Sequence, residues 1–151
     1  MRKKLEMNVA YAARRPWVPR RTQFEVWVRA ALAGFSRRSV LSVLVVGTER
    51  SRSLNSRYRR KDKSTNVLSF SGAGPCPDGR NYLGELVICA PVVAREALAQ
   101  GKSRESHWAH MTVHGVLHLL GFDHQRDAEA AEMTAREIQI LDRLGFSNPY
   151  A

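Results

Sequence analysis

The sequence predicts a single α+β domain that contains about four strands and about five helices. The 151 residues match the usual size of one domain, and 44% of them are hydrophobic, which is enough to build a core. Strand-like and helix-like segments follow one another without strict alternation, which favours this class over a βαβ repeat. Residues 1–151 contain neither internal repeats nor low-complexity tails, so we expect one folded unit.

The N-terminal segment is predicted to form a strand and then a helix. Leu5–Tyr11 alternates enough between polar and apolar residues to form a strand. Two prolines make residues 14–21 a loop. Thr22 is placed to cap the next helix, which is expected to run to about Ala33 and to end at Gly34.

The middle of the chain is predicted to supply the other three strands. Val40–Val46 is apolar and β-branched, which is typical of a buried strand. The polar segment 50–60 has helical propensity. Asn66–Phe70 and Leu83–Cys89 are short strands that we expect to pair as a hairpin. Between them, Ser71–Arg80 holds three glycines and two prolines and is predicted to be a loop.

Three helices are predicted to complete the domain. Pro91 opens the first of them at a position that proline favours, and Gly101 ends it. The second runs from about residue 104 to 120 and is apolar on most sides, so we expect it to be buried. The third begins near Asp127, where acidic residues favour a helix start, and ends at Gly145.

The charge of the chain is strongly positive and unevenly distributed. The formal net charge is +10. Residues 1–63 hold 17 Lys and Arg against 4 Asp and Glu, whereas residues 64–151 hold 7 against 10. A basic half beside a nearly neutral half suggests a surface that binds a polyanion. An arginine-rich surface that reflects genome composition or favours solubility is the alternative.

The cysteines and the N-terminus indicate a cytoplasmic protein. Cys76 and Cys89 are too few for a disulfide framework and lack zinc-binding spacing, so they indicate a reducing compartment. The basic N-terminus is not followed by a long apolar run, which argues against a secretory signal. No segment approaches the ~20 apolar residues of a membrane span, so we expect no membrane partner.

The pattern His114-x3-His118-x5-His124 is the most informative feature of the sequence. Residues four apart on a helix point the same way, one turn above the other. Gly121 is expected to end that helix, so that the chain can turn back and bring His124 to the same point. Three neutral imidazoles leave one coordination position of zinc open, which is typical of a catalytic site. Core histidines with satisfied hydrogen bonds are the alternative.

Two neighbouring residues limit this interpretation. His110 lies four residues before His114 and competes as a ligand, but three histidines on one straight helix spread too far along its axis to bind one ion. We therefore predict that His110 supports a ligand or packs beside it. The pattern also resembles the His-Glu-x-x-His motif of zincins, whose glutamate is the general base. Gly115 stands at that position, so a zinc peptidase of this kind would lack its base.

Four sequence blocks carry a resemblance to a known family. They are Leu54-Asn55 with Tyr58–Phe70, Leu83–Cys89, His114–His124 and Ile140–Tyr150. On these blocks the chain resembles the YbeY family, bacterial endoribonucleases of ribosomal RNA maturation. The first fifty residues match only in general pattern. Family members often have Pro in place of Ser64, which is expected to change loop stiffness, and Asp in place of Glu85, where the carboxylate here lies one methylene further out.

The resemblance implies both a fold and a function. The implied fold is a single α+β domain with a mixed, mostly parallel sheet and one Zn²⁺ per chain, bound by His114, His118 and His124. The implied activity is single-strand-specific cleavage of RNA, in maturation of the 3′ end of small-subunit ribosomal RNA and in ribosome quality control. The implied partners are ribosomal RNA, the small ribosomal subunit and its assembly factors.

Arg59 is the predicted catalytic residue. A guanidinium can bind two phosphate oxygens at once and always stays charged, and the resemblance assigns phosphate binding to Arg59. Neighbouring cations are candidates for contacts with the RNA backbone: Arg57, Arg60, Lys61 and Lys63. Asp123 precedes a predicted ligand and is expected to hold an imidazole or the turn in place.

Two other functions remain open at this point. A ribosome-assembly factor with a structural zinc and incidental nuclease activity predicts a zinc without exchangeable water and full biological function after Arg59→Ala. A zinc peptidase is disfavoured by Gly115 and by the basic half of the chain.

Overall fold

The computed structural model describes residues 5–35, 37–122 and 125–151. Within these ranges the chain forms four strands and five helices, as the sequence predicts. In chain order they are β1 (Leu5–Tyr11), α1 (Arg21–Ala31), β2 (Arg38–Val46), α2 (Thr48–Arg59), β3 (Val67–Pro75), β4 (Arg80–Cys89), α3 (Ala90–Ala99), α4 (Arg104–Leu119) and α5 (Asp127–Arg143).

The four strands form one mixed, mostly parallel sheet in the order β1-β2-β4-β3. Strand β2 pairs in parallel with β1 on one side and with β4 on the other. Strand β3 pairs antiparallel with β4 as the predicted hairpin. The buried central strands β2 and β4 are rich in branched apolar residues, as parallel strands covered by helices usually are.

The hairpin is longer than predicted, because the loop expected at 71–80 is mostly strand. Strand β3 continues to Pro75 and β4 begins at Arg80, and the pairing of the two strands shifts register between Ser71 and Gly74. The glycines here allow the two backbones to approach closely, which composition alone did not distinguish from a loop. A Cβ on Gly84 would lie only 2.0 Å from the Phe70 carbonyl oxygen, and the φ of Gly84 is +139°.

Helix α4 forms the centre of the core. It contacts α1, α3, α5 and the strands β3 and β4. Trp108, Val113 and Val116 on this helix are fully buried, and the Trp108 ring packs edge-on against Phe24 of α1 at a centroid distance of 5.9 Å. The predicted burial of this helix is therefore confirmed.

Gly115 brings α4 directly onto the sheet. A Cβ there would lie 2.7 Å from Leu86 Cδ2 and 3.3 Å from Val67 Cγ2. The Ser69 hydroxyl also donates a hydrogen bond of 3.2 Å to the Gly115 carbonyl oxygen, which ties β3 to this point of the helix. The glutamate of a zincin would have no space at this position, so the departure from that motif follows from helix–sheet packing.

The start of α1 differs from the sequence prediction, and the end of α2 needs a left-handed backbone conformation. Helix α1 begins at Arg21 rather than after Thr22, and the Arg20 backbone N–H donates to the Gln23 side-chain oxygen at 2.9 Å. Arg60 caps the C-terminal end of α2 and adopts a left-handed conformation with a φ of 57°. The backbone N–H of Lys61 then reaches back to the Asn55 carbonyl oxygen. None of the described helices is both long and apolar enough to cross a membrane.

Candidate active site

A groove of about 660 Å³ lies where α2, α4 and β3 meet. Its lining comes from three separate segments of the chain: Tyr58 and Arg59 at the end of α2, residues 66–71 at the start of β3, and His114 and His118 on α4. The contact between α4 and β3 at Gly115 fixes the distance between two of these segments. The groove therefore brings together residues that are up to 60 positions apart in sequence.

His114 and His118 lie side by side on the groove face of α4. They are one helical turn apart, and their ring centroids are 4.8 Å from each other. Both side chains line the groove, whereas the residues between them on the opposite side of the helix are buried. The structure thus places two of the three predicted metal ligands together.

A buried carboxylate holds His114. Glu137 on α5 is 1% exposed, and its Oε2 lies 2.7 Å from His114 Nδ1. Its Oε1 lies 2.7 Å from His110 Nε2 and accepts a short hydrogen bond from the Tyr150 hydroxyl. Burial alone would raise the pKa of Glu137, but the hydrogen bonds from the two histidines outweigh it and lower that pKa to about 2.

Glu137 is therefore ionised and can only accept hydrogen bonds, so His114 must donate from Nδ1. Any metal would then bind His114 through Nε2. A carboxylate that orients a ring from the far side in this way is the usual companion of a metal-binding histidine. The residues present at this end of the groove thus fit a zinc site.

The third predicted ligand, His124, lies outside the described residues, as does Asp123. Within the described ranges, no group of three His, Cys, Asp or Glu side chains forms a metal site. The ligand set of three histidines accordingly stays a prediction, and so does the supporting role of Asp123.

His110 points to the carboxylate and does not line the groove. It is 6% exposed, and besides Glu137 its Nε2 lies 3.2 Å from the Tyr150 hydroxyl oxygen. Its ring centroid is 6.3 Å from that of His114. His110 thus contacts the same carboxylate as His114, and its role in supporting a metal ligand stays a prediction.

Arg59 is the member of the basic run that reaches the groove. It is exposed at the last position of α2 and lines the groove together with Tyr58. The other predicted RNA contacts are exposed on the same turn but do not line the groove: Arg57, Arg60, Lys61 and Lys63. Two contacts hold this turn in place. Asn55 donates to the Lys63 carbonyl oxygen at 2.9 Å, and Arg52 pairs with Asp62 at 2.7 Å.

A second, partly buried network reaches the groove from α3. His107 Nε2 lies 2.8 Å from Glu96 Oε1, and the same carboxylate accepts a hydrogen bond of 3.1 Å from the Asn66 amide. Asn66 in turn lines the groove. Burial lowers the pKa of His107, although the contact with Glu96 opposes that shift.

Glu137, Glu96 and Tyr150 were not among the residues predicted from the sequence. Glu137 had a detectable signal, because it interrupts the apolar stripe of α5. Glu96 and Tyr150 gave no such signal, since acidic and aromatic residues are common at half-buried helix positions and near a C-terminus.

Comparison with known proteins identifies relatives along nearly the whole chain. A family model described as Endoribonuclease YbeY matches residues 17–145. The chain is 50% identical over 152 aligned positions to Endoribonuclease YbeY of Stenotrophomonas maltophilia (strain R551-3), an alignment that covers 98% of this chain and 94% of the relative. Endoribonuclease YbeY of Xanthomonas campestris pv. campestris (strain B100) is 51% identical over the same shares of the two chains.

A solved structure has the same fold at much lower identity. The solution structure of a protein from Thermotoga maritima superimposes with a TM-score of 0.62 and covers 92% of this chain and 89% of its own. The two sequences are 19% identical, so this likeness concerns the fold alone.

Proposed function

The chain belongs to the endoribonuclease YbeY family, and we propose that it is an RNA-cleaving hydrolase whose reaction takes place in the groove between α2, α4 and β3. The preferred substrate in this proposal is single-stranded ribosomal RNA, at the 3′ end of the small-subunit molecule and in ribosome quality control. The expected setting is the cytoplasm, with the small ribosomal subunit and its assembly factors as partners.

One observation carries the proposal: Arg59 lines the same groove as His114 and His118. These residues come from different elements, and nothing in the packing of the core requires an exposed arginine beside two half-buried histidines. Cleavage of a phosphodiester needs charge stabilisation at the phosphoryl oxygens and a means to activate the attacking water. A guanidinium and a pair of imidazoles in one groove can supply both.

Each residue has a distinct role in this proposal. Arg59 binds the scissile phosphate through two of its N–H groups and stabilises the negative charge that develops there. His114, His118 and His124 would hold one zinc ion, which when bound supplies Lewis acidity and lowers the pKa of water. Glu137 keeps the His114 ring in one orientation, and His110 and Tyr150 keep Glu137 in place.

The packing of Gly115 favours this reaction over peptide hydrolysis. The base of a zincin would have to lie at position 115, where the helix touches Leu86 and Val67. The excess of cations in residues 1–63 also favours a polyanionic substrate.

Cleavage of a single-stranded RNA oligonucleotide by the parent, Arg59→Ala and Arg59→Lys tests the role of Arg59. Loss of one positioned charge donor typically lowers the rate ~10²–10³-fold. Arg59→Lys should retain part of the cleavage rate, because lysine has the positive charge but not the two parallel N–H donors of a guanidinium. Arg50→Ala is the matched control, since Arg50 is exposed on the same helix and does not line the groove. All variants should melt like the parent.

Parental cleavage by Arg59→Ala would contradict this assignment. If that variant also supported full ribosome maturation, the result would favour an assembly factor with a structural zinc and incidental cleavage.

Metal analysis tests the ligand set independently of activity. His114→Ala, His118→Ala and His124→Ala should each lose most of the zinc, because three imidazoles are needed to close the site. His110→Ala should retain most of it. Loss of zinc from His110→Ala together with retention by His124→Ala would show that the predicted ligand set is wrong.

A further inference from the structure

We propose that Tyr58 is a stacking platform for one unpaired nucleobase of the RNA strand, next to the nucleotide whose phosphate Arg59 binds. This inference rests on the proposed function. It adds that the groove recognises an unpaired base of the RNA as well as a phosphate. It concerns a residue that plays no part in the chemistry proposed above.

The first observation is the exposure of Tyr58. Tyr58 is a large aromatic residue on the rim of the groove, and it is 59% exposed. The ring is therefore accessible to a stacking ligand at the edge of the groove that Arg59 also lines.

The second observation is that the ring is held in place. The Tyr58 and Phe70 rings meet edge to face, with centroids 5.2 Å apart and an interplanar angle of 73°. Phe70 is itself packed against the small core cluster beneath β3 and β4. A ring supported in this way loses little conformational freedom when a ligand stacks on it, which favours binding.

The third observation is the charge around the ring. The Arg57 guanidinium lies over the Tyr58 ring at 5.9 Å from its centroid, and Arg59 follows Tyr58 directly in the groove. One guanidinium over the ring and a second on the adjacent residue place cations where the phosphates that flank a stacked base can be bound. Proteins that bind single strands combine aromatic platforms with backbone-binding cations in this way.

Recognition of this kind selects single-stranded RNA. Bases in a duplex are stacked on one another and their faces are not accessible, whereas an unpaired base can turn out onto an aromatic side chain. Tyr58 would therefore contribute to the single-strand preference without reading a particular base, because every base has a π-face.

The test is a set of RNA oligonucleotides with one cleavage site, in which each nucleotide in turn is replaced by an abasic residue. The kcat/KM values are measured for the parent, Tyr58→Phe and Tyr58→Leu, and binding of the same oligonucleotides is followed by fluorescence anisotropy before cleavage sets in. Phe35→Ala is the control, because Phe35 is an exposed aromatic residue that does not line this groove.

In the parent and in Tyr58→Phe, the abasic residue at one position next to the cleavage site should lower kcat/KM by about 5- to 150-fold, the usual range for one stacked base. Tyr58→Leu keeps the apolar contact with Phe70 but not the π-face. It should cleave the intact oligonucleotide more slowly by the same factor and show no further loss at that position. The control should behave like the parent.

Three results would overturn the proposal or separate it from the proposed function. If Tyr58→Leu shows the same abasic profile as the parent, or cleaves the intact strand at the parental rate, Tyr58 does not stack on a base. If the parent binds RNA with the expected abasic profile but does not cleave it, the stacking site stands and the nuclease proposal fails. If the parent neither binds nor cleaves RNA, both proposals are wrong.

Discussion

At the scale of single residues, the candidate site depends most on Glu137, whose signal in the sequence is weak. Glu137 lies in the inner stripe of α5 between Met133 and Leu141, where apolar residues are expected. An ionised group in such a stripe indicates a buried hydrogen-bond partner, because its burial is otherwise too costly. The partners His110 and His114 are 27 and 23 residues away, so only the packing of α4 against α5 identifies them.

Glu137→Gln should weaken zinc binding and destabilise the protein. Glutamine keeps the shape of the side chain, but it removes the charge that accepts hydrogen bonds from the two imidazoles. Loss of such a supporting carboxylate typically lowers metal affinity 10–100-fold, and disruption of the buried bonds should cost roughly 1–3 kcal/mol. Titration calorimetry with zinc and urea denaturation measure the two effects.

Glu132→Gln is the control for this measurement, because Glu132 is exposed on the same helix. A Glu137→Gln protein with parental zinc affinity would show that the carboxylate stabilises the core without orienting a ligand.

At the scale of elements, the sequence was most informative where helix ends have chemical markers. Gly101 and Gly121 follow the helices α3 and α4 at positive φ angles, as predicted for glycines beyond a helix end. The hairpin was less predictable, because a glycine such as Gly72, whose Cβ would lie 2.5 Å from the Tyr82 carbonyl oxygen, is as suited to close strand approach as to a loop. Composition cannot distinguish the two, since the difference depends on which backbone lies opposite.

The contact of α4 with the sheet predicts a size limit at position 115. Gly115→Ala should change the stability little, because the Leu86 methyl group can move and alanine favours the helix by ~1 kcal/mol over glycine. Gly115→Val should destabilise the protein by about 1–3 kcal/mol, since a larger side chain must push the helix away from Leu86 and Val67. Urea denaturation measures both changes.

The larger substitution should also widen the groove and reduce cleavage of RNA, because Gly115 lies between His114 and the sheet that carries β3. Equal stability of Gly115→Val and Gly115→Ala would contradict the close packing of α4 on β4.

The junction of α3 and α4 predicts a pH-dependent stability. His107 is buried against Glu96, with Lys102 and His110 as its other charged or titratable neighbours, and burial lowers its pKa below the ordinary value of 6.5. The unfolded chain therefore takes up this proton first as the pH falls. The contribution of neutral His107 is complete above about pH 6.5 and is lost as the pH falls through the lower pKa of the folded state.

Comparison of the parent with His107→Gln between pH 8 and 5 isolates this contribution, since the other histidines are common to both proteins. The free energy of unfolding should fall more steeply with decreasing pH in the parent than in the variant. Parallel pH profiles would mean that His107 titrates alike in the folded and unfolded states.

At the scale of the whole molecule, the dense run of basic residues at 57–63 lies beside the groove. The cations of residues 57–63 are exposed on the last turn of α2 and in the segment that follows it, and Arg59 at the end of α2 lines the groove. The sequence predicted that the basic run and the predicted histidine ligands belong to one site. Both patterns are local and can be seen without the fold. The run by itself does not distinguish Arg59 from its neighbours, since the phase of α2 and the left-handed turn at Arg60 decide which arginine lines the groove, and it was the family resemblance that singled out Arg59.

If this surface follows the RNA backbone, the affinity for single-stranded RNA should fall steeply with salt. The slope of log K against log salt concentration should be near −0.7 for each phosphate contact. The triple change Arg57→Glu, Arg60→Glu and Lys63→Glu should flatten that slope by about three contacts, because each residue is exposed beside the groove. Zinc content should not change, since none of the three residues lies among the predicted ligands.

A second triple change separates local contacts from net charge. The change Arg95→Glu, Arg104→Glu and Arg143→Glu alters the net charge by the same amount at exposed positions on α3, α4 and α5, outside the segment 57–63. This control should lower the affinity at low salt through long-range repulsion but leave the slope nearly unchanged, because counterions are released only where cations meet phosphates. Equal slopes for the two triple variants would show that RNA is attracted by the overall charge and that the turn after α2 makes no specific backbone contacts.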